Sequence, residues 1–202
     1  IRDRYGIEHP DISMKAFEKV TSLISCEFAV RPFVEKYPDK SMRYIQKWSA
    51  HRDEHVRRLA SEGIRPRLPW APVLYGFKKD PTAIIPILEN LKEDPSEYVR
   101  RSVANNLNDI SKDHPRAVIE LTRRWIGGHE WTDKLLKHAN RTLLKAGHEE
   151  ALALFSYDTD GLIETDHFTL ETPVLHMGEA LSWRFQLSNR SNQTVTVSYT
   201  HL

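Results

Sequence analysis

The chain has 202 residues, of which 40% are hydrophobic and 28% charged, a composition that excludes disordered, fibrous and disulfide-scaffold classes. No apolar run approaches the roughly 20 residues of a membrane-spanning helix, and the one cysteine, Cys26, forbids an intrachain disulfide and fits a reducing compartment. The net charge of +1 hides an asymmetry: residues 1–150 carry 27 Lys/Arg against 22 Asp/Glu, whereas residues 151–202 carry 2 against 6. A mildly basic body permits a nucleic-acid partner without establishing one.

Ile1 stands where a start codon would give Met, and no secretory signal opens the chain, so the expectation is a sequence that begins inside a longer protein. A first helix pair is predicted over residues 12–24 and 27–37, with Pro32 close to a helix start or at a kink. The next pairs are predicted over 40–50 and 54–63, 82–92 and 97–111, and 116–126 and 134–145. Asp80-Pro81, Asp94-Pro95-Ser96, His114-Pro115 and Gly127-Gly128 punctuate them as caps and turns.

These pairs are repeats. Glu54-His55-Val56-Arg57-Arg58 returns 43 residues later as Glu97-Tyr98-Val99-Arg100-Arg101, and a fainter copy begins at Asp133-Lys134-Leu135. Two helices per unit of about 40 residues is the signature of HEAT-like solenoids. On the helix from Glu97, Val99, Val103, Leu107 and Ile110 form the apolar stripe. Beside it run Arg101, Asn105 and Asp109, matched by Lys137, Arg141 and Lys145 in the third copy and by Arg58 and Glu62 in the first. Stacked repeats set such stripes side by side, giving either a solvated charged face or a binding face.

From about residue 161 the period changes to two. Leu181, Trp183, Phe185 and Leu187 alternate with polar residues, as do Val195, Val197 and Tyr199, and 165–170 is a further strand candidate. Some 40 residues fall short of the roughly seven strands of a sandwich. The expected organisation is therefore a mainly α repeat domain over 1–156, incomplete at its N-terminus, and over 161–202 the start of a truncated immunoglobulin-like β domain.

Two carboxylates attract attention. Glu27 sits beside Cys26 ahead of an apolar segment, and Asp109 closes Asn105-Asn106-Leu107-Asn108-Asp109-Ile110; taken singly, each is explained by helix-end chemistry. His51-Arg52-Asp53-Glu54-His55 fits an inverted zinc-protease pattern, but the segment straddles a helix–helix turn where Asp53 is a natural cap. Trp48, Trp125 and Trp131 fall at helix ends and are expected to pack, and Trp183 is expected in the core of its strand.

Ser25–Phe33, Arg57–Gly63 with Arg65-Pro66-Arg67-Leu68-Pro69-Trp70, and Val99–Ile110 together resemble the AlkC-type DNA alkylation repair glycosylases, relatives of the AlkD group. The likeness runs through nearly the whole chain in order. It implies a HEAT-like architecture, a monomer acting in the cytoplasm on duplex DNA with alkylated bases, and no cofactor, metal or membrane. It implies Glu27 and Asp109 as catalytic carboxylates, Arg58 and Trp70 near the lesion, and Arg141 at the DNA backbone. Arg101, Asn105 and Lys137 complete the expected DNA-contacting set. The implied reaction is hydrolysis of the glycosidic bond of cationic bases such as 3-methyladenine and 3-methylcytosine, without lyase activity. The competing class is a HEAT-like scaffold that binds nucleic acid or protein without catalysis. A passive phosphate binder, however, has no reason to embed carboxylates in a basic face.

Overall fold

The computed structural model describes residues 6–157 and 163–190 and divides the chain into two compact units, Ile1–Leu154 and Phe155–Leu202. The described part of the first unit is helical: α1 (Pro10–Val20), α2 (Glu27–Lys36), α3 (Pro38–Trp48), α4 (Glu54–Glu62), α5 (Tyr75–Lys79), α6 (Ile85–Leu91), α7 (Glu97–Ser111), α8 (Pro115–Trp125), α9 (Glu130–Ala139), α10 (Arg141–Lys145) and α11 (Glu149–Leu154). None is long and apolar enough to cross a membrane.

Local chemistry sets the helix ends. Proline opens α1, α3 and α8, where a missing N–H costs nothing. At α4 the Asp53 carboxylate accepts the His55 N–H, and the His51 ring accepts the Asp53 N–H, so the inverted zinc-protease segment builds a helix cap. Pro32 lies inside α2, which begins at Glu27, and the helix continues past it to Lys36. Only one hydrogen bond is forfeited, and its acceptor residue, Phe28, is exposed. The helix predicted over 134–145 is divided at Asn140, whose amide donates to Thr122 Oγ1 at 2.8 Å and to the Leu136 carbonyl. Two short helices, α5 and α11, have no counterpart in the sequence reading.

Packing joins the repeats. α4 lies against α7, α7 against α9, and α3, α6 and α8 each pack on the partner that follows. Val56, Leu59, Val99, Val103, Leu107, Ile110, Leu135 and Leu136 are buried in these contacts, so the apolar stripe read on α7 is core. The 43-residue repeat extends to individual hydrogen bonds. Arg57 donates to the carbonyls of His51 and Arg52, and Arg100 donates to those of Asp94 and Pro95, the equivalent positions one unit on.

α2 approaches the end of α4 at Gly63. A Cβ there would lie 2.5 Å from Val30 Cγ1 and 3.0 Å from the Leu59 carbonyl oxygen, so the absence of a side chain sets the spacing between the two helices.

The second unit holds β1 (Ile163–Leu170) and β2 (Trp183–Asn189), antiparallel with Thr165 opposite Leu187 and Leu170 opposite Trp183. The register slips between Asp166 and Thr169, around His167 in the left-handed region. Phe168, Trp183 and Phe185 stack, yet Leu181 and Leu187 are exposed and Trp183 is half-buried rather than core. The two strands of the described residues do not by themselves cover a face. The predicted strand around 195–199 lies outside the described residues.

Gly63→Ala is expected to destabilise the helical unit by about 1–3 kcal/mol through overpacking against Val30. A lowered denaturant midpoint at unchanged slope is the signature.

Candidate active site

One connected chain of charges crosses α2, α4, the following loop and α7. Glu27, the first residue of α2, has Oε2 3.4 Å from Arg58 Nη1, and the same nitrogen donates to Ser25 Oγ at 2.7 Å. Arg58 Nη2 lies 3.6 Å from Glu62 Oε1, one turn along α4. Arg65 Nη1 donates to that Glu62 oxygen at 2.8 Å, and Arg65 Nε donates to Asp109 Oδ2 at 2.8 Å. Ser102 holds the other Glu62 oxygen at 2.6 Å, and Lys112 Nζ stands 3.4 Å from Asp109 Oδ1.

The sequence expected Glu27 and Asp109 on one surface with Arg58, and the structure links them through Glu62 and Arg65. Exposure falls steeply along the way: the side chains of Glu27 and Arg58 retain 13% and 15% of their accessible surface, and Asp109 retains 3%. Burial works against the Arg65 charge, but the Asp109 hydrogen bond and the Glu62 and Asp109 charges outweigh it and hold the guanidinium above its ordinary value. Arg58 also lies over the Tyr98 ring, 4.9 Å from its centre.

The α7 stripe is graded rather than uniformly exposed. Arg101 is exposed and loosely paired with Glu97, Asn105 is half-buried, and Asp109 is buried. Asn105 Oδ1 accepts Arg141 Nη2 at 3.1 Å and lies 3.2 Å from His138 Nε2. Burial draws the Arg141 guanidinium below its ordinary value, with the Asp109 carboxylate opposing and Arg65 reinforcing. His138 is lowered as well, by burial and then by Arg141 and Arg101. This basic corner opens onto a groove of about 540 Å³ between α7 and α9, lined by Arg101, Trp131, Lys134 and His138. Lys137 is exposed on α9.

Trp70 stands apart in character. It is 99% exposed, on the loop after α4, with φ +59°. A bulky residue in the left-handed region is an outlier that its surroundings must enforce. Trp48 and Trp125 are buried as expected, whereas Trp131 is 37% exposed beneath Arg100. Cys26 is a buried thiol raised above its ordinary value by burial and by Glu27, the opposite of an activated nucleophile.

Sequence reading missed the roles of Arg65 and Arg31. Both lie in apolar or turn-forming stretches where an arginine must find a buried partner, and that anomaly was the available signal.

Residues 22–145 match the family model described as DNA alkylation repair enzyme. The chain belongs to this family. The alkylpurine DNA glycosylase AlkC of Pseudomonas fluorescens, solved bound to DNA containing an abasic site analog, aligns with a TM-score of 0.86 at 40% identity. The match covers 92% of this chain and 52% of that one. The uncharacterized protein YhaZ of Bacillus subtilis strain 168 is 46% identical over 197 residues, 98% of this chain and 55% of its own length. The chain thus spans about half the length of these relatives. Within the DNA alkylation repair enzyme family it is of the AlkC type, and the whole charge chain from Glu27 to Asp109 lies inside the matched span.

Replacing Arg65 with Met leaves Glu62 and Asp109 without their shared cation inside the protein, a loss of about 3–5 kcal/mol. Arg101→Ala, at an exposed pair, is expected to stay within about 0.5 kcal/mol. Paired urea melts of the two variants measure the contrast.

Proposed function

We propose that this protein is a monofunctional DNA glycosylase that hydrolyses the N-glycosidic bond of cationic alkylated bases, 3-methyladenine and 3-methylcytosine, in duplex DNA. The observation that carries the reading is the pair of carboxylates, Glu27 and Asp109, at the two ends of one ion-paired chain. The family and the AlkC likeness support it.

Methylation at a ring nitrogen gives the base a positive charge, so it leaves without prior protonation. Its departure leaves an oxocarbenium-like sugar. Glu27 and Asp109 stabilise that charge and orient the attacking water, as paired carboxylates do in glycoside hydrolysis. Arg58, itself held by Ser25 Oγ, orients Glu27, and Arg65 fixes Asp109 by one oxygen. Among the described residues its other oxygen meets the long contact to Lys112, whose side chain is 42% exposed and able to turn to a DNA phosphate. No lysine nucleophile is required, hence no lyase step.

Trp70 flanks the lesion, where an aromatic face attracts a cationic base by about 0.5–2 kcal/mol. Arg101, Asn105, Lys137 and Arg141 contact the backbone and supply salt-sensitive, sequence-independent affinity. In this reading the helix pairs form a HEAT-like solenoid over 1–156 and present these residues on one face to bent DNA. The strands of 161–202 begin an immunoglobulin-like domain. The protein works as a cytoplasmic monomer.

Excision is measured on a duplex with one 3-methylcytosine and on methylated DNA rich in 3-methyladenine. Glu27→Gln and Asp109→Asn are each expected to lower the single-turnover rate by about 10²-fold or more while DNA binding persists. No base release by a folded, DNA-binding wild type would replace the enzyme with the scaffold reading. Arg101→Ala is expected to weaken binding to all sequences alike and to reduce the salt slope by about 1.

A further inference from the structure

Arg31 is fully enclosed in the helical unit and makes no salt bridge to any described residue. It lies one turn beyond Glu27 on α2, so both side chains project from the same side of the helix. Its guanidinium bonds are all to backbone carbonyls across a long sequence separation. Nη1 donates to Gly63 at 3.3 Å and to Arg65 at 2.8 Å, and Nε and Nη2 donate to Pro72 at 3.2 and 2.6 Å. Those acceptors stand at the two ends of the 63–72 loop, which carries Arg65 at one side and Trp70 at the other.

We propose that Arg31 is a positioning residue that clamps both ends of this loop, fixing Trp70 relative to Glu27 for base excision. The proposal rests on the glycosylase reading above. Three features argue for it. A cation is costly to bury, and burial lowers this guanidinium to about 10, so its retention in an apolar helix face needs a specific return. The planar fork meets carbonyls at two ends of a loop, which a lysine's single ammonium cannot reproduce.

Trp70 itself supplies no anchorage. Its side chain is 99% exposed and its backbone is left-handed, so the surrounding bonds must hold it. Within the loop only the Ala71 N–H to Leu68 and the Leu74 N–H to Pro66 tie the chain to itself. Arg67 adds a half-exposed pair with Asp113. Arg65 ties the first side of the loop inward to Glu62 and Asp109, and Arg31 is an enclosed tie that also reaches the Trp70 side, from the helix whose first residue is Glu27.

The test uses Arg31→Lys and, as a second variant, Arg31→Gln in the intact protein labelled with 5-fluorotryptophan. The Trp70 resonance is assigned by its loss in Trp70→Phe. The expected result is a shift or broadening of the Trp70 resonance alone, with those of buried Trp48 and Trp125 unmoved and the thermal transition still cooperative. Single-turnover excision is expected to fall by about 10²-fold, the cost of a misplacement near 1 Å, with binding to abasic-analog duplex changed less than about threefold. In a Trp70→Ala background Arg31→Lys is expected to cost no more than about threefold, because the two residues act as one unit. An unmoved Trp70 resonance, or a full loss of rate on top of Trp70→Ala, overturns the clamp. So does failure of both variants to fold, which would make Arg31 a core support. A wild type that releases no base sinks the glycosylase reading instead, and the fluorine spectra then decide the clamp alone.

Discussion

Everything else at the site depends on keeping five charges in the protein interior without leaving any one alone. Glu27, Arg58, Glu62, Arg65 and Asp109 alternate in sign across three separate stretches of chain. Each is affordable only because its neighbour is present, since an isolated buried ion costs several kcal/mol even after relaxation. That condition fixes the relative placement of α2, α4 and α7 more narrowly than apolar packing can. Burial of Val30, Leu59 and Val103 brings the helices together without direction, whereas hydrogen bonds of 2.8 Å on both sides of Arg65 tolerate little displacement.

The chain is tight in the middle and loose at its ends. Glu62 is held at 2.6 and 2.8 Å, but the contacts on Glu27 and on the outer oxygen of Asp109 are both 3.4 Å. A carboxylate that met its full complement of donors in the resting protein would have little left to offer a developing positive charge. Here the saturated member is the central one, and the terminal ones keep unsaturated oxygens. For the proposed reaction, this distribution places chemistry at the ends and rigidity in the middle, the preorganisation that electrostatic catalysis requires.

Much of this was legible in the sequence wherever the causes are local. The bounds of α7 follow from Asp94-Pro95-Ser96 before it and from its apolar period, and the start of α4 follows from Asp53. Resemblance singled out Glu27, Asp109, Arg58 and Trp70. What was not legible depends on contacts of long sequence separation. Arg65 reaches Asp109 across 44 positions, and Arg31 reaches Pro72 across 41. No pattern within a helix or a loop encodes such a partner. The division at Asn140 is of the same kind, since it follows from a bond to Thr122 on the preceding helix. Pro32 did not prevent the helix read over 27–37, because packing of Val30, Phe33 and Val34 outweighs the local rule against proline in helix interiors.

The repeat explains how one scaffold yields two kinds of surface. Arg57 and Arg100 keep the same job in successive units, each folding back onto the loop before its helix. Their neighbours, Arg58 and Arg101, began from equivalent positions and differ in what the adjacent element offers. Arg58 meets Glu27 on α2 and Glu62 a turn away, and it is drawn inward to become part of the charge chain. Arg101 has Asn105 where Arg58 has Glu62, and α9 across the groove offers His138 rather than a carboxylate. With no inward partner among the described residues it stays in solvent, paired loosely with Glu97. Glu27 and Glu62 thus draw the arginine of one copy into an enclosed cluster, whereas Glu97 holds that of the next only loosely at the surface. In the proposed function, the difference between reacting centre and backbone grip lies in Glu62 in place of Asn105 on the shared helix face and in the adjacent element, which brings Glu27 in one unit and His138 in the next.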